Sequence, residues 1–183
     1  HSMGLSRMAS SHLELGNLQQ ASALVERSIA LAPGLPTRYL FARAQIELAQ
    51  EDYAALAQTA EEIRSHALPP DNADRTEDAA AAYIEGLSAL HRGHLDAARE
   101  RIQAAVKLEG YRYAIYELGL VETMLAQQDW EKADYWLGQA RQRTGKDARM
   151  DLEKERVLAF LTEARLNAAR NLPNDATQLA LRF

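Results

Sequence analysis

Apolar residues along most of this chain recur three or four residues apart, which is the spacing of one face of an α-helix. Alanine and leucine supply most of these positions, and both residues favour helices. The periodic stretches are interrupted by turn-forming residues near positions 16–17, 33–36, 50–52, 69–74, 93, 110, 127–129 and 144–146. The pattern predicts an all-α chain of about nine helices, and the short turns favour antiparallel neighbours.

Three segments of the chain align with one another without gaps: residues 16–33, 93–110 and 128–140. Each segment has a turn residue, a polar residue and then a large apolar residue. A small residue, an apolar residue and a second small residue follow at the same intervals. These aligned triplets are Ala21, Val25 and Ser28 in the first segment, Ala98, Ile102 and Ala105 in the second, and Ala133, Leu137 and Ala140 in the third. Small residues at fixed intervals predict sites where helices cross closely.

This pattern resembles the tetratricopeptide repeat, in which a pair of helices carries small residues where the helices cross. The resemblance covers about four repeats over residues 4–143. It implies a right-handed α-α superhelix, a solenoid of antiparallel helix pairs. In such a solenoid Ala98 and Ala105 would lie in helix contacts, and the first helix of each pair would line a concave groove.

Two repeats depart from the pattern. In the second, residues 38–63, the turn reads Gln-Glu-Asp and the second helix is expected to be one residue short. In the fourth, the pair Leu118-Gly119 lies two residues from the position that Trp130 predicts for it. We therefore expect Leu120 and Val121 to hold the helix crossing there.

The ends of the chain do not carry the repeat. Residues 1–3 read as the remnant of an expression tag, and the repeat domain is expected to span residues 4–171. Its last part, residues 147–171, predicts a helix with an apolar stripe and a charged side, which would cap the final repeat. Residues 172–183 form a tail, because Pro173 is expected to stop the helix. The tail ends in the apolar residues Leu179, Leu181 and Phe183.

The groove implied by the resemblance supplies the candidate binding residues. They are Arg38, Phe41, Gln45, Tyr83, Leu87, His91, Leu118, Glu122 and Leu125, together with Ser6 and Ser10 in the first repeat. Tyr83 and Phe41 are candidate anchors, since aromatic side chains bury much area with few rotatable bonds. Packing between helices is the alternative role for Tyr83 and Leu87. Trp136 marks a possible second contact surface or dimer face.

The charges and motifs of the chain argue against several classes of function. Asp and Glu number 26 against 21 Lys and Arg, so a basic nucleic-acid face is not expected. The chain has no cysteine, no apolar run of membrane-spanning length and none of the common catalytic or phosphate-binding motifs. His91 and His94 straddle a turn and are expected to be solvated rather than to bind a metal. We therefore predict a protein that is not an enzyme and has no cofactor and no metal.

The favoured hypothesis is a scaffold or adaptor whose groove binds an apolar or amphipathic segment of another protein. A C-terminal carboxylate is a poor candidate ligand, because only Arg38 suits it and Glu122 would repel it. The alternatives are a regulatory or targeting domain of a larger protein with a kinase, protease or transcription-factor domain, and a homo-oligomerisation module. Membrane insertion and nucleic-acid binding are not expected, and the sequence does not decide the compartment.

Overall fold

The computed structural model describes residues 2–32, 36–69, 74–108 and 114–144, and these contain eight α-helices and no strand. The chain is therefore all-α throughout the described ranges, as predicted. The expected capping helix, residues 147–171, and the tail, residues 172–183, lie outside them. In chain order the helices are α1 (Ser2–Glu14), α2 (Leu18–Leu31), α3 (Pro36–Ala49), α4 (Tyr53–Ser65), α5 (Thr76–His91), α6 (Leu95–Leu108), α7 (Ala114–Ala126) and α8 (Trp130–Thr144).

The helices form four consecutive hairpins, which we number 1 to 4: α1–α2, α3–α4, α5–α6 and α7–α8. Each hairpin turns at a residue with positive φ: Gly16 (74°), Glu51 (58°), Gly93 (77°) and Gln128 (59°). At each turn this residue donates its N–H to the carbonyl three residues earlier, and the next residue donates to the carbonyl five residues earlier. The second of these bonds measures 2.8–3.0 Å in all four hairpins. This pair of bonds is the Schellman ending of a helix.

Because all four turns have the same geometry, they define a common register for the hairpins. Below, a residue's position is counted back or forward from the positive-φ residue of its hairpin. Each second helix begins two residues after that residue, at Leu18, Tyr53, Leu95 and Trp130. The second hairpin therefore aligns with the other three without a gap at its turn. Helix α4 is one residue shorter than α2 and α6, and the difference lies at its C-terminal end.

The hairpins stack in chain order. Within each hairpin the two helices pack together, and α2, α4 and α6 then pack against the first helix of the following hairpin. The first helices also contact one another, α1 with α3, α3 with α5 and α5 with α7. Ser2, which the sequence assigned to a tag remnant, lies in α1, and its carbonyl accepts a hydrogen bond from Ser28 Oγ at 3.2 Å.

Small residues lie where two helices approach most closely. The position seven residues before each turn residue is occupied by Ala9, Ala44, Gly86 and Val121, and all four are buried. A Cβ added to Gly86 would overlap Ile102 Cγ1 and lie 3.2 Å from the Ile102 backbone nitrogen. Glycine is required there because α6 crosses α5 too closely for a methyl group.

In the fourth hairpin, the contact between its own two helices and the close contact with the preceding hairpin are made by different residues of α7. Leu120 and Val121 are fully buried, and Val121 packs among Ala133, Leu137 and Ala140 of its own hairpin. Gly119 instead faces the preceding hairpin, since a Cβ on it would lie 2.7 Å from Tyr83 Cε2 and 3.4 Å from Ile102 Cδ1. The pair Leu118-Gly119 is thus displaced from the crossing inside the hairpin, and its glycine serves the junction between hairpins.

Candidate binding surface on the first helices

The candidate surface is built from one face of each first helix. Positions three, six and ten before the turn residue share a helical face, because they are separated by three and four residues. We call this set the first-helix face. Its members are Leu13, Leu48, Leu90 and Leu125 at position three, Ser10, Gln45, Leu87 and Glu122 at position six, and Ser6, Phe41, Tyr83 and Leu118 at position ten.

The middle of this face is a narrow apolar cleft between α3 and α5. Phe41, Gln45, Leu48 and Leu87 line it, and Ala44, Leu56 and Ile84 complete its walls. Its free volume is about 10 Å³, close to the space that one water molecule needs. A ligand would therefore lie across the half-buried side chains of Leu48 and Leu87, or displace them, rather than enter a preformed cavity.

Tyr83 is a buried member of the first-helix face, with 5% of its surface exposed. Its ring stacks on Phe41 of α3 at a centroid distance of 5.9 Å and an interplanar angle of 10°. On its other side it meets Tyr116 of α7 at 4.9 Å and 53°. The three rings join three consecutive hairpins, so Tyr83 acts mainly in packing and Phe41, which is half-buried, is the more accessible ring.

The other predicted residues divide by exposure. Arg38 and His91 are exposed and lie towards opposite ends of their helices. Gln45, Leu87 and Glu122 are half-buried. Leu118 and Leu125 are only 4% and 7% exposed, because they pack among the apolar residues of α7 and α8. The structure thus brings Phe41, Gln45 and Leu87 together, with Arg38 and Glu122 in the flanking parts of the same face.

Sequence reasoning missed the leucine row at position three. Leu13, Leu48 and Leu90 are half-buried and stand at equivalent places in successive hairpins. Leu125 is their counterpart in the fourth, and it was the member of the row that the sequence singled out. The signal was available: a leucine three residues before every turn residue. It becomes visible only once Glu51 and Gln128 are known to occupy the same turn position as Gly16 and Gly93.

Trp136, the predicted second contact, is half-buried against the core formed by α5, α6 and α7 as well as that of its own hairpin. Its neighbour Tyr135 is 58% exposed and meets the Trp136 ring edge-on at 5.1 Å. Most of the free aromatic surface at this place therefore belongs to Tyr135.

A cationic centre joins the first and second hairpins. Arg43 of α3 forms ion pairs with Glu62 of α4, with Glu26 of α2 at 3.7 Å and with Glu47 at 3.6 Å. Its Nε also donates to Thr59 Oγ1 at 3.0 Å. Only 20% of the Arg43 side chain is exposed. Three carboxylates thus surround one guanidinium, which holds α3 to the helices on both sides.

The next junction carries the opposite charge at the same position. Glu85 of α5 stands eight residues before its turn, as Arg43 does. It pairs with Arg64 of α4 and, at 3.5 Å, with Arg101 of α6. The hydrogen bond to Glu85 raises the pKa of Arg64, which stays charged. An anion between two cations replaces the cation between three anions.

Glu47 is a carboxyl group of these clusters whose pKa is raised. Burial is the main cause, because it disfavours the charged carboxylate. The hydrogen bond that Thr59 donates to Glu47 Oε1 at 2.9 Å, together with the charge of Arg43, lowers the pKa and offsets part of this effect. The pairing with Arg43 and Thr59 gives Glu47 a structural explanation that does not involve catalysis.

Within the described ranges, no group of three or more His, Asp or Glu residues is arranged to hold a metal ion. His91 and His94 are both exposed, on either side of the turn at Gly93. Asp129 is half-buried, and its pKa is lowered by hydrogen bonds from Lys132, as expected for a helix-capping carboxylate. In those same ranges, no helix is long and apolar enough to cross a membrane.

Comparisons of the chain with protein-family models, with curated proteins and with solved structures find no match.

Proposed function

We propose that this chain is a protein-binding module of the tetratricopeptide type, in which the hairpins form a right-handed superhelix and the first-helix face is its concave surface. Its ligand is an amphipathic helix or an extended apolar segment of another protein. The module acts as a scaffold or adaptor and carries out no chemical step itself.

The main support is the apolar strip on the first-helix face. Leucine occupies position three in every hairpin, and Phe41, Leu48 and Leu87 border the cleft between α3 and α5. Half-buried leucines and an accessible aromatic ring favour a ligand with apolar anchors, since such side chains dominate the energetics of protein interfaces.

The charged groups near the apolar strip favour an amphipathic segment as the ligand over a C-terminal carboxylate. Arg38 is exposed on the second hairpin, whereas Glu122 is half-buried on the fourth. A single basic residue and an acidic one do not form the cluster of cations that a carboxylate or phosphate ligand requires. They would instead orient a dipolar segment, with an acidic group towards Arg38 and a basic group towards Glu122.

The proposal is tested by capture from a lysate of the source cells with the wild-type chain and with a Leu48→Glu, Leu87→Glu double variant. Two carboxylates in the apolar cleft should abolish the retention of any partner that lies across it, because each would be desolvated by the ligand. The matched control is Leu31→Glu, a leucine on α2 that is 57% exposed and lies off the first-helix face. Circular dichroism checks that each variant is folded.

A partner retained by the wild type and the control but lost by the double variant would support the proposal. If all three chains retain the same proteins, the first-helix face is not the binding site. A self-association seen by sedimentation and lost in the double variant would favour the homo-oligomerisation module instead.

A further inference from the structure

The three internal junctions show how the first helix of a hairpin is covered. In each, the second helix of the preceding hairpin packs across it. The residue eight positions before the turn is central to the contact and is Arg43, Glu85 or Leu120 in hairpins 2, 3 and 4. The covering helix matches it: α2 supplies Glu26 to Arg43, and α4 supplies Arg64 to Glu85.

The third junction is apolar instead. Leu120 is fully buried together with Tyr116 against Ile102, Ala105 and Val106 of α6. The residue at position eight therefore indicates the chemistry of the helix that covers it. A charged residue is met by an opposite charge, and an apolar residue is met by an apolar stripe.

In α1, the side of the helix that carries position eight has no covering helix in the parts of the chain that the structure describes. Its position eight is Met8, which is 52% exposed. Gly4 and Ser11 stand at the positions equivalent to Tyr39 and Ile46 of α3. Ile46 is 2% exposed and packs with Ala21 and Val25 of α2, and Tyr39 is 3% exposed, whereas Gly4 and Ser11 are exposed.

We propose that this face of α1 binds an amphipathic helix of another protein, whose apolar stripe resembles that of α6. The binding continues the stacking of the three internal junctions, with an apolar stripe because Met8 is apolar. A Cβ at Gly4 would have no atom within 4 Å, so the space above it is open to a side chain of the bound helix. This surface is separate from the first-helix face.

The charges beside the face define the partner further. Arg7 is exposed and His12 is half-buried, and both line the shallow groove that runs past Met8, Ser11 and Leu15. Glu14 is the acidic residue of α1, and it lies at the C-terminal end of the helix. An apolar stripe bordered by carboxylates is therefore the best match, because its acidic groups would lie near Arg7.

The methionines allow this face to be observed directly. The chain has four, and isotope labelling of their methyl groups gives one NMR signal for each. Met8 reports on the proposed site, and the fully buried Met124 is an internal reference. The probe is a synthetic peptide of residues 94–109, which contains α6, with a hydrocarbon staple between positions 97 and 101. Both positions are exposed in α6, so the staple leaves the apolar stripe free.

We expect the peptide to shift the Met8 signal in a saturable manner and to leave the Met124 signal in place. Met8→Glu should weaken binding by at least about tenfold, since it places a charge beneath the bound helix. Binding to this variant is followed by the fluorescence polarisation of a dye on the peptide. Met3→Glu is the matched control, because Met3 is similarly exposed, at 46%, but is five residues away and on a different face of α1.

Three results would overturn the proposal. The first is an unshifted Met8 signal at millimolar peptide. The second is protection of Met8 from a soluble paramagnetic agent in the free protein, which would mean that the chain itself covers this face. The third is a Met8 shift that depends on protein concentration without peptide, which would identify a second copy as the occupant. The Leu48→Glu, Leu87→Glu variant should still bind the peptide, so failure of the first-helix face as a site is distinguished from failure of this one.

Discussion

Hairpins 2 and 3 share one backbone plan and fill it with opposite side chains. Their turns have the same hydrogen bonds and similar positive φ angles at Glu51 and Gly93. The position eight residues earlier is a cation in one and an anion in the other, Arg43 and Glu85, each surrounded by partners of opposite sign. The same framework therefore accepts either charge, provided that the neighbouring helices carry the complement.

The sizes of the core residues are exchanged in the same way. Hairpin 3 has Ala98, Ile102 and Ala105 on its second helix, whereas hairpin 2 has Leu56, Ala60 and Ile63 at the equivalent positions, and all six are buried. The first helix compensates at the crossing, where Gly86 faces Ile102 and Ala44 stands at the place equivalent to Gly86. At the crossing each hairpin thus pairs residues of complementary size, glycine with isoleucine in hairpin 3 and alanine with alanine in hairpin 2, rather than keeping one residue at a given position.

The largest predicted effect comes from converting the crossing of hairpin 3 into that of hairpin 2. Ile102→Ala should lower the free energy of unfolding by about 2–5 kcal/mol, because it leaves a cavity. Gly86→Ala alone should cost about 1–3 kcal/mol through overpacking, less about 1 kcal/mol gained in helix propensity. The double variant should cost less than the two single changes together, since the new methyl group occupies space vacated by the isoleucine.

Urea denaturation of the wild type, both single variants and the double variant gives this coupling as a double-mutant cycle. The reciprocal cycle in hairpin 2, Ala44→Gly with Ala60→Ile, is the matched control and should couple with the same sign. Strict additivity in both cycles would contradict the exchange of volumes.

A smaller loss is expected from reversing the charge at the first junction. Arg43→Glu places a fourth carboxylate beside Glu26, Glu47 and Glu62. We expect a destabilisation of about 1–3 kcal/mol, because the Arg43 side chain is only 20% exposed whereas Glu26 and Glu62 are 52% and 45% exposed and partly screened by water. Met8→Glu is the matched control, since it makes the same residue at the equivalent position of α1, where the side chain is exposed. That control should change stability by less than about 0.5 kcal/mol, as measured by thermal unfolding. Equal effects at the two positions would show that the surrounding carboxylates do not matter.

The smallest effects concern the turns, and they have opposite signs in the two hairpins. Glu51→Gly should stabilise the chain by about 0.5–1 kcal/mol, because a left-handed conformation costs a residue with a side chain more than it costs glycine. Gly93→Ala should destabilise it by about 1–2 kcal/mol for the same reason. Both changes are measured by urea denaturation. A loss of stability in Glu51→Gly would mean that the glutamate side chain makes a stabilising contact at this turn.

The sequence alone predicted the helices of the described ranges, the places of the four hairpin turns and the departure of Leu118-Gly119 from the repeat register. These features depend on local patterns: apolar periodicity, turn residues and small residues at fixed intervals. The register of hairpin 2 was harder to predict, because its turn residue is Glu51 rather than glycine. In addition, Leu56, Ala60 and Ile63 are large, small and large where the repeat pattern predicts small, large and small. Compensation between helices is a property of pairs, and no single segment displays it.

The binding surface was less predictable for a related reason. Tyr83 has the residue type of an interface anchor, but its ring is covered by Phe41 and Tyr116, which come from two other hairpins. Its exposure depends on how closely those hairpins stack, and periodicity within one helix does not encode that distance. The ion pairs between hairpins were not predicted for the same reason, since Arg43 and Glu26 lie in different hairpins and meet only in the stacked structure.

The alternating charges of the junctions also constrain how such an array can evolve. Loss of hairpin 2 by recombination within the gene would bring α5 onto α2 and place Glu85 beside Glu26. Tandem duplication of hairpin 2 would instead bring Glu61 of the old copy, which is equivalent to Glu26, beside the Arg43 of the new one. Loss of the hairpin would therefore put like charges into contact and would need a compensating substitution to be retained, whereas duplication would keep opposite charges together. Hairpin 2 is thus expected to be retained between hairpins 1 and 3, and a change in repeat number is expected to add a copy of it rather than to remove it.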